Sequence, residues 1–297
     1  MSTWYIRSIA WKLAMAVCVL IAWSGAADGA IYGIKSKDPI SDPPTRLFRV
    51  DDDGSNLTVL SEVKLNGLAI DADGLAQDGS ANLFAFEVTT DGTSSRLLSI
   101  DPLTSEATAI GPALAGRDIR GAVYDALGRL VVLDAANDSV LRINPLTGQA
   151  VAGSEASLTE SGGGGFTLGN VADLTQRSDG SFVMVNDLGF YELDLATATV
   201  TELFVETAAA SHDGRVPTFA GLATTSEDGV LLGYDVTFDD DLWLYDEGNG
   251  YDRTLAHQNI ISAYNAGRGD LASLPIPEPA TLLMAVVGST ALLRRRA

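Results

Sequence analysis

Short runs that alternate hydrophobic and polar residues recur throughout residues 31–274, a pattern typical of β-strands. One kind of run ends in an acidic or Asn residue before a turn, and it occurs five times. The marker residues are Asp51, Asp101, Asn144, Asp194 and Asp246, with successive differences of 50, 43, 50 and 52 residues. A repeat of this length, built from short strands, is typical of the blades of a β-propeller.

Two further runs recur with the same period. Runs of small residues predict innermost strands, where blades crowd the central axis. They are Gly67-Leu68-Ala69, Gly121-Ala122-Val123, Val171-Ala172, Gly221-Leu222-Ala223 and Asp270-Leu271-Ala272. Apolar runs after the next turn predict second strands. They are Leu83 to Phe86, Leu130 to Leu133, Phe182 to Val185 and Leu231 to Tyr234, with Ile31 to Ile34 as a related run at the start of the domain.

The repeats are out of phase with the ends of the domain. The first unit lacks an innermost strand, and Asp270 to Leu274 is an innermost strand with nothing after it. Pairing of these two fragments would complete a blade and remove two exposed edges. We therefore predict an all-β fold for residues 27–274, a five-bladed β-propeller closed by its N- and C-terminal strands. A β-sandwich or an open solenoid is the alternative.

Residues 1–26 have the pattern of a secretory signal peptide, which predicts an N-terminal signal helix. Arg7 and Lys12 precede an apolar run from Leu13 to Trp23, and Ser24-Gly25-Ala26 offers small residues for cleavage. A membrane anchor is the competing interpretation, but the run is shorter than the roughly 20 residues that a span requires.

The C-terminal residues 275–297 combine a Pro-rich spacer, an apolar run and a basic end. The run Ala280 to Leu293 carries no charge and is followed by Arg294, Arg295 and Arg296. As a helix it would be about 21 Å long, short for a hydrocarbon core of about 30 Å, so it predicts a short transmembrane helix that holds the chain temporarily. A buried terminal helix is the alternative, but it leaves the three arginines unexplained.

This tail resembles the PEP-CTERM sorting signal in its Pro277-Glu278-Pro279 motif, its apolar segment and its Arg294–Arg296 cluster. The resemblance implies export by a Gram-negative, exopolysaccharide-producing bacterium and recognition by the membrane protease-transpeptidase exosortase. It would place the protein transiently in the inner membrane and then at the cell surface or in the extracellular matrix of a biofilm. The family is defined by the signal alone, so it implies no activity for the domain that precedes it.

The composition excludes several kinds of partner and catalytic site. The chain has 39 acidic and 19 basic residues, a formal net charge of −20, which argues against nucleic acid as a partner. Its single cysteine, Cys18, lies in the leader, which excludes disulfides, zinc-thiolate sites and a cysteine nucleophile from the mature domain. His212 and His257 are the only histidines, and the chain has no Gly-x-Ser-x-Gly motif. The sequence therefore favours a protein that is not an enzyme.

Register suggests one candidate site. Equivalent positions at the ends of the second strands hold Glu87, Asp134, Asn186 and Asp235, with Ser36 in the first unit. Near the predicted starts of the innermost strands are Asn66, Arg120, Asn170 and Asp270. Oxygen ligands converging at a channel mouth would suit Ca²⁺. The alternative is that each side chain caps its own strand end.

Other acidic motifs predict turns. Asp51 to Asn56 with Glu62 partly imitates an EF-hand loop, but its sixth position is Asn56 instead of Gly, and register makes it a hairpin. The repeated Asp-Gly pairs Asp73-Gly74, Asp179-Gly180 and Asp228-Gly229 are likewise interpreted as hairpin turns.

Two functions remain open. The first is an exported envelope or matrix protein whose acidic propeller is a non-enzymatic binding module for exopolysaccharide or envelope proteins. The second is a calcium-dependent propeller hydrolase such as a lactonase, with Glu87, Asp134, Asn186 and Asp235 as metal ligands. The sequence does not identify what the domain binds.

Overall fold

The computed structural model describes residues 30–37, 44–89, 93–169, 171–205, 218–236, 241–258, 260 and 267–274. The predicted signal peptide, the sorting motif and both predicted terminal helices lie outside these residues, as do His212 and Asn170. Within the described ranges, no helix has the length and apolar character needed to cross a membrane.

The described chain is all-β and propeller-like, with 24 strands in five sheets and one short 3₁₀ helix at Glu247–Asn249. Sheet A contains β1 (Ile31–Lys37), β2 (Arg46–Val50), β3 (Thr58–Glu62) and β24 (Gly267–Ala272). Sheet B contains β4 (Lys64–Leu65), β5 (Leu68–Ala69), β6 (Ala72–Gln77), β7 (Leu83–Val88), β8 (Ser94–Ile100), β9 (Glu106–Ala109) and β10 (Leu114–Ala115). Sheet C contains β11 (Ile119–Tyr124), β12 (Leu130–Asp134), β13 (Ser139–Ile143) and β14 (Ala156–Ser157). Sheet D contains β15 (Thr159–Glu160), β16 (Ala172–Gln176), β17 (Phe182–Asn186), β18 (Gly189–Asp194) and β19 (Thr199–Val205). Sheet E contains β20 (Phe219–Thr224), β21 (Val230–Asp235), β22 (Asp241–Asp246) and β23 (Asp252–His257).

Burial falls from the innermost to the outermost strand of a sheet. All residues of β6, β12, β16 and β17 are buried, whereas β9 and β23 are mostly exposed or half-buried. The hydrophobic core is divided into five clusters, each lying mainly between two neighbouring sheets. Each sheet therefore buries both faces, and this explains why its inner strands are nearly continuous hydrophobic runs.

Sheets B to E are each built from one continuous stretch of chain, whereas sheet A joins the two ends of the domain. Strand β24 pairs antiparallel with β1, and Gly33 lies opposite Leu271. The prediction that Ile31 to Ile34 and Asp270 to Leu274 belong to one sheet is confirmed. The pairing removes two edges that would otherwise be exposed.

The innermost strands pack side by side around an axis. Strand β6 contacts β11, β11 contacts β16, β16 contacts β20, β20 contacts β24, and β24 contacts β6. Two glycines permit this approach. A Cβ at Gly121 would lie 2.6 Å from the Cα of Asp173, and one at Gly221 would lie 3.0 Å from the carbonyl carbon of Asp270. The small residues of these strands are thus a requirement of the axis.

Two sequence predictions are wrong in sheet B. Gly67-Leu68-Ala69 is not an innermost strand, because Leu68 and Ala69 form the exposed strand β5, which pairs with β4 around a turn at Asn66 and Gly67. The innermost strand is β6, whose Asp73-Gly74 is not a hairpin turn but a buried irregularity in the pairing with β7. Asp73 and Gln77 are polar although both are buried, so strand β6 does not show the continuous hydrophobic run expected of an inner strand.

Candidate functional site

The structure places the four candidate ring residues at equivalent positions. Asp134, Asn186 and Asp235 end the second strands β12, β17 and β21, and Glu87 is the penultimate residue of β7. Because the strands alternate in direction, these ends lie on one face of the domain, which we call the front face. The turns between first and second strands lie on the opposite face, which we call the turn face.

Each of the four side chains is hydrogen-bonded within its own sheet or its flanking loop. Arg96 Nε donates to Glu87 over 2.8 Å, and the Thr218 N–H donates to Asp235 over 3.1 Å. Asn186 Oδ1 accepts from the N–H groups of Leu188 and Gly189 at 2.9 and 3.3 Å.

Asp134 is fully buried and has several hydrogen-bonding partners. Its carboxylate accepts from Arg117 Nη1 at 2.8 Å, from two backbone N–H groups at 3.0 and 3.1 Å, and from the Asn137 amide at 2.8 Å. In the part of the chain that the structure describes, no three acidic, His or Cys side chains are grouped so as to hold a metal ion. The contacts fit the capping interpretation of the front-face residues.

The half-buried Asp235 faces a buried amine from the adjoining sheet. Lys35 of β1 is fully buried, and its Nζ lies 5.9 Å from the centre of the Tyr234 ring. Burial lowers the pKa of Lys35 to about 7, although the charge of Asp235 acts in the opposite direction. This pair lies where sheet E meets sheet A.

A second acidic group lies on the axis itself, on the innermost strands. Asp73, Asp173 and Asp270 come from β6, β16 and β24 and are buried, Asp173 and Asp270 completely. Arg120 of β11 is also buried, forms an ion pair with Asp118 and lies 3.9 Å from Asp73 Oδ2.

Asp173 and Asp270 form what we call the axial carboxyl pair. Both accept from the backbone N–H of Leu271, at 3.3 and 2.8 Å, and the two carboxyl groups are hydrogen-bonded to each other. Asp173 also accepts from Leu222 of β20 at 2.5 Å, and Asp270 from Leu75 of β6 at 2.5 Å. The pair therefore connects the backbones of four innermost strands.

Burial is the main cause of the altered acidity of this pair. Removal from water raises the pKa of Asp173, while its hydrogen bond with Asp270 and those from backbone N–H groups act against that rise. Burial, and then the negative charge of Asp173, raise the pKa of Asp270 well above its usual range. At neutral pH the pair consequently retains at least one proton, which can bridge the two carboxyl groups.

Hydroxyl groups continue the polar axis toward the turn face. Thr175 donates to Thr224 over 3.5 Å, and the hydroxyls of Thr224 and Ser273 are 2.9 Å apart. These three residues belong to, or directly follow, innermost strands of sheets D, E and A. The axis is thus lined by carboxyl groups and then by hydroxyl groups.

The hydroxyl groups lead to a cavity of about 930 Å³ on the turn face. Its wall comes from segments that end or follow the innermost strands of four sheets, together with turns of sheets A and E. The lining residues are Ile31, Asp52, Gly79, Arg177 to Asp179, Thr224 to Leu231, Glu247, Ser273 and Leu274. None of the front-face residues belongs to it.

Polar contacts between sheets D and E fix this wall. Arg177 Nε donates to Glu247 over 2.9 Å, and Tyr251 donates to the same carboxylate over 3.1 Å. Ser178 donates to Asp228 over 2.6 Å, joining the turn of one sheet to the turn of the next. The cavity is consequently bounded by cross-linked turns.

The sequence pattern reveals neither the axial carboxyl pair nor the cavity. The pattern puts Asp270 near the start of an innermost strand but does not connect it with Asp73 or Asp173. One signal was present, because a small residue precedes Asp in three innermost strands, as Ala72-Asp73, Ala172-Asp173 and Gly269-Asp270. The cavity left no such signal, since its residues come from separate turns.

No protein-family model and no curated protein matches the chain. Solved structures do resemble it. A structural genomics protein of unknown function from Bacteroides thetaiotaomicron is 17% identical, with a TM-score of 0.49 over 77% of this chain and 59% of that one. The chain therefore spans less than two thirds of that protein's length.

Two further structures have named activities or roles. TolB from Acinetobacter baumannii is 13% identical, with a TM-score of 0.43 over 83% of this chain and 67% of that one. Virginiamycin B lyase from Staphylococcus aureus is 11% identical, with a TM-score of 0.39 over 78% of this chain and 71% of that one. Similarity of this degree concerns the arrangement of strands, and the activities belong to those proteins.

Proposed function

We propose that this protein is an exported binding module, a five-bladed propeller whose turn-face cavity holds a polar ligand of the envelope or extracellular matrix. In this proposal sheets A to E are the five blades, and β1 and β24 close the ring. The observation that carries the proposal is the cavity of about 930 Å³ at the turn-face end of the axis. Such a volume is in the range of small-ligand sites.

The cavity wall indicates the character of the ligand. Hydroxyl groups of Thr224, Ser273 and Ser178 line it, together with several carboxylates. Its single guanidinium, Arg177, is already paired with Glu247. An anionic ligand would meet this excess of negative charge without a free cation, so a neutral or positively charged carbohydrate fits better.

Blocking the cavity tests this proposal. Ser226 is an exposed turn residue of the wall, and Ser226→Trp would fill space without disturbing the core. The full-length protein and the variant are compared for retention on immobilised exopolysaccharide and for binding to neutral, amine-bearing and uronic-acid oligosaccharides. We expect the variant to lose at least tenfold in affinity, equivalent to about 1.4 kcal/mol.

Leu127→Trp is the matched control, because Leu127 is exposed in the corresponding turn of sheet C and does not line the cavity. It should bind as the wild type does. Equal binding by all three proteins, or binding of uronic-acid oligosaccharides alone, would reject the cavity as the proposed site.

The sorting proposal rests on the tail, with Pro277, Glu278 and Pro279 as the exosortase recognition motif. Replacement of Arg294, Arg295 and Arg296 by Ser would remove the basic stop that keeps the C-terminal end cytoplasmic. We expect the variant to be processed less completely and to decline in the surface and matrix fractions. Immunoblots of cell fractions measure this, and an unchanged distribution would count against the sorting role.

A further inference from the structure

We propose that the axial carboxyl pair is a pH-sensitive contact that closes the ring of innermost strands. In this contact, one proton shared by Asp173 and Asp270 holds β24 against its neighbours. This inference concerns the closure of the fold and does not depend on the proposed function. It would make the domain more tightly closed in a mildly acidic medium than in an alkaline one.

The geometry gives the pair this position. Strand β24 is the last strand of the domain, and its pairing with β1 completes sheet A. Asp270 reaches from β24 to the Leu75 N–H of β6, and Asp173 reaches from β16 to the Leu271 N–H of β24. Two of the contacts that join β24 to other sheets thus pass through the same two carboxyl groups.

Loss of the shared proton would affect both contacts. Two ionised carboxylates at hydrogen-bonding distance repel each other strongly in a buried site, as in other close carboxyl pairs. Neither Asp173 nor Asp270 has a cation as a hydrogen-bonding partner among the described residues. Separation of the carboxylates would have to move β24, β16 or both.

The negative charge of Asp73 also opposes ionisation of the axial carboxyl pair. Among the described side chains of the five innermost strands, the other ionic groups are Asp73 and Arg120, which lie 3.9 Å apart as an ion pair. The charge of Asp73 adds to the rise in the pKa of Asp270. Arg120 is also bound to Asp118, so its charge is shared between two carboxylates.

The sign of the pH dependence follows from these shifts. Both carboxyl groups have a pKa above the unfolded value of 3.8, so above that value the folded protein binds more protons than the unfolded chain. Stability must then decrease as pH rises, and each extra proton increases the unfolding constant by up to about tenfold per pH unit.

Lys35 contributes with the opposite sign, but over a different range. Its pKa is lowered to about 7, so it increases stability as pH rises between about 7 and its unfolded value. The range from pH 5 to 7 therefore reports the carboxyl pair with little contribution from Lys35. Comparison of variants removes the remaining contribution.

The experiment measures urea unfolding of the full-length protein at pH 5, 6 and 7, for the wild type and for the double variant Asp173→Asn/Asp270→Asn. Asn cannot ionise, so the double variant has no titratable carboxyl at this place. We expect the wild-type unfolding constant to rise about tenfold per pH unit and the double variant to lose most of that slope.

Asp134→Asn is the control, because Asp134 is equally buried but its charge is met by Arg117. It should shift stability at every pH and keep the wild-type slope. A wild-type unfolding constant that does not rise with pH, or a double variant that keeps the full wild-type rise, would overturn the proposal.

Amide hydrogen exchange gives a second test that needs no variant. The N–H groups of Leu75, Leu222 and Leu271 donate to the pair. After correction for intrinsic base catalysis, their protection should decrease between pH 5 and 8 more than that of the Asp118 N–H, which donates to Asp134. Equal changes at the two places would contradict the proposal.

Discussion

Two acids of this protein, Asp134 and Asp173, are equally buried but differ in what neutralises their charge. On the front face, Asp134 is fully buried and meets the Arg117 guanidinium at 2.8 Å. On the axis, Asp173 is fully buried and meets backbone N–H groups and a second carboxyl group, Asp270. A cation compensates the first charge, whereas a proton compensates the second.

The comparison shows that burial alone does not predict which part of the fold a carboxyl group stabilises. Front-face residues bond to loops of their own sheets, so each stabilises one strand end. Axial residues bond across sheets, so each stabilises the arrangement of the sheets. We therefore expect substitutions on the axis to affect the whole fold and those on the front face to act locally.

The largest effect is expected for Asp173→Ala. It removes the side-chain acceptor of the Leu222 N–H and one of the two acceptors of the Leu271 N–H, so hydrogen bonds that join β16 to β20 and β24 are lost in a buried place. We expect a loss of about 3 kcal/mol in the free energy of unfolding. Urea denaturation followed by circular dichroism measures the free energy of unfolding. A smaller loss than for Asp134→Asn would contradict the greater importance of the axis for the fold.

Gly121→Ala tests the close approach of the innermost strands. The new Cβ would lie 2.6 Å from the Cα of Asp173, so backbone would have to shift against backbone. We expect a loss of about 2 kcal/mol from overpacking. Gly79→Ala is the matched control, because a Cβ there meets nothing within 4 Å. Similar losses for both variants in thermal unfolding would show that the axis is not tightly packed.

Asp134→Asn is expected to have a smaller effect. The amide keeps an oxygen acceptor but loses the charge that faces Arg117, and Arg117 remains paired with Glu155. We expect a loss of about 1 kcal/mol, confined to sheet C. Hydrogen exchange of β11 and β12 locates the effect, and changes that extend to sheets D and E would argue against local action.

Calcium is expected to have no effect. The front-face residues Glu87, Asp134, Asn186 and Asp235 are each engaged within their own sheets, so binding would require their hydrogen bonds to be broken. Calorimetric titration of the full-length protein with millimolar Ca²⁺ should show no binding heat, and the melting temperature should not change. A saturable signal lost in Asp235→Asn would restore the calcium-dependent hydrolase as the better hypothesis.

Much of the fold could be predicted because its information is local and repeated. The third strands that precede Asp51, Asp101 and Asn144 and the second strands that begin at Leu83 and Leu130 are found where the alternation of residues predicts them. Sheet closure was also predictable, because an incomplete first unit and an incomplete last unit complement each other. Strand β6 was missed because its buried Asp73 and Gln77 make an inner strand look like a turn.

The strand periodicity, the closure of sheet A and the equivalent positions of Glu87, Asp134, Asn186 and Asp235 can be predicted from residue types at fixed spacing along the chain. The shared buried site of Asp173 and Asp270, 97 positions apart, and the cavity between turns of separate sheets become visible once the sheets are packed. Proximity across the axis and exclusion of water are properties of packed sheets, and no local pattern encodes them.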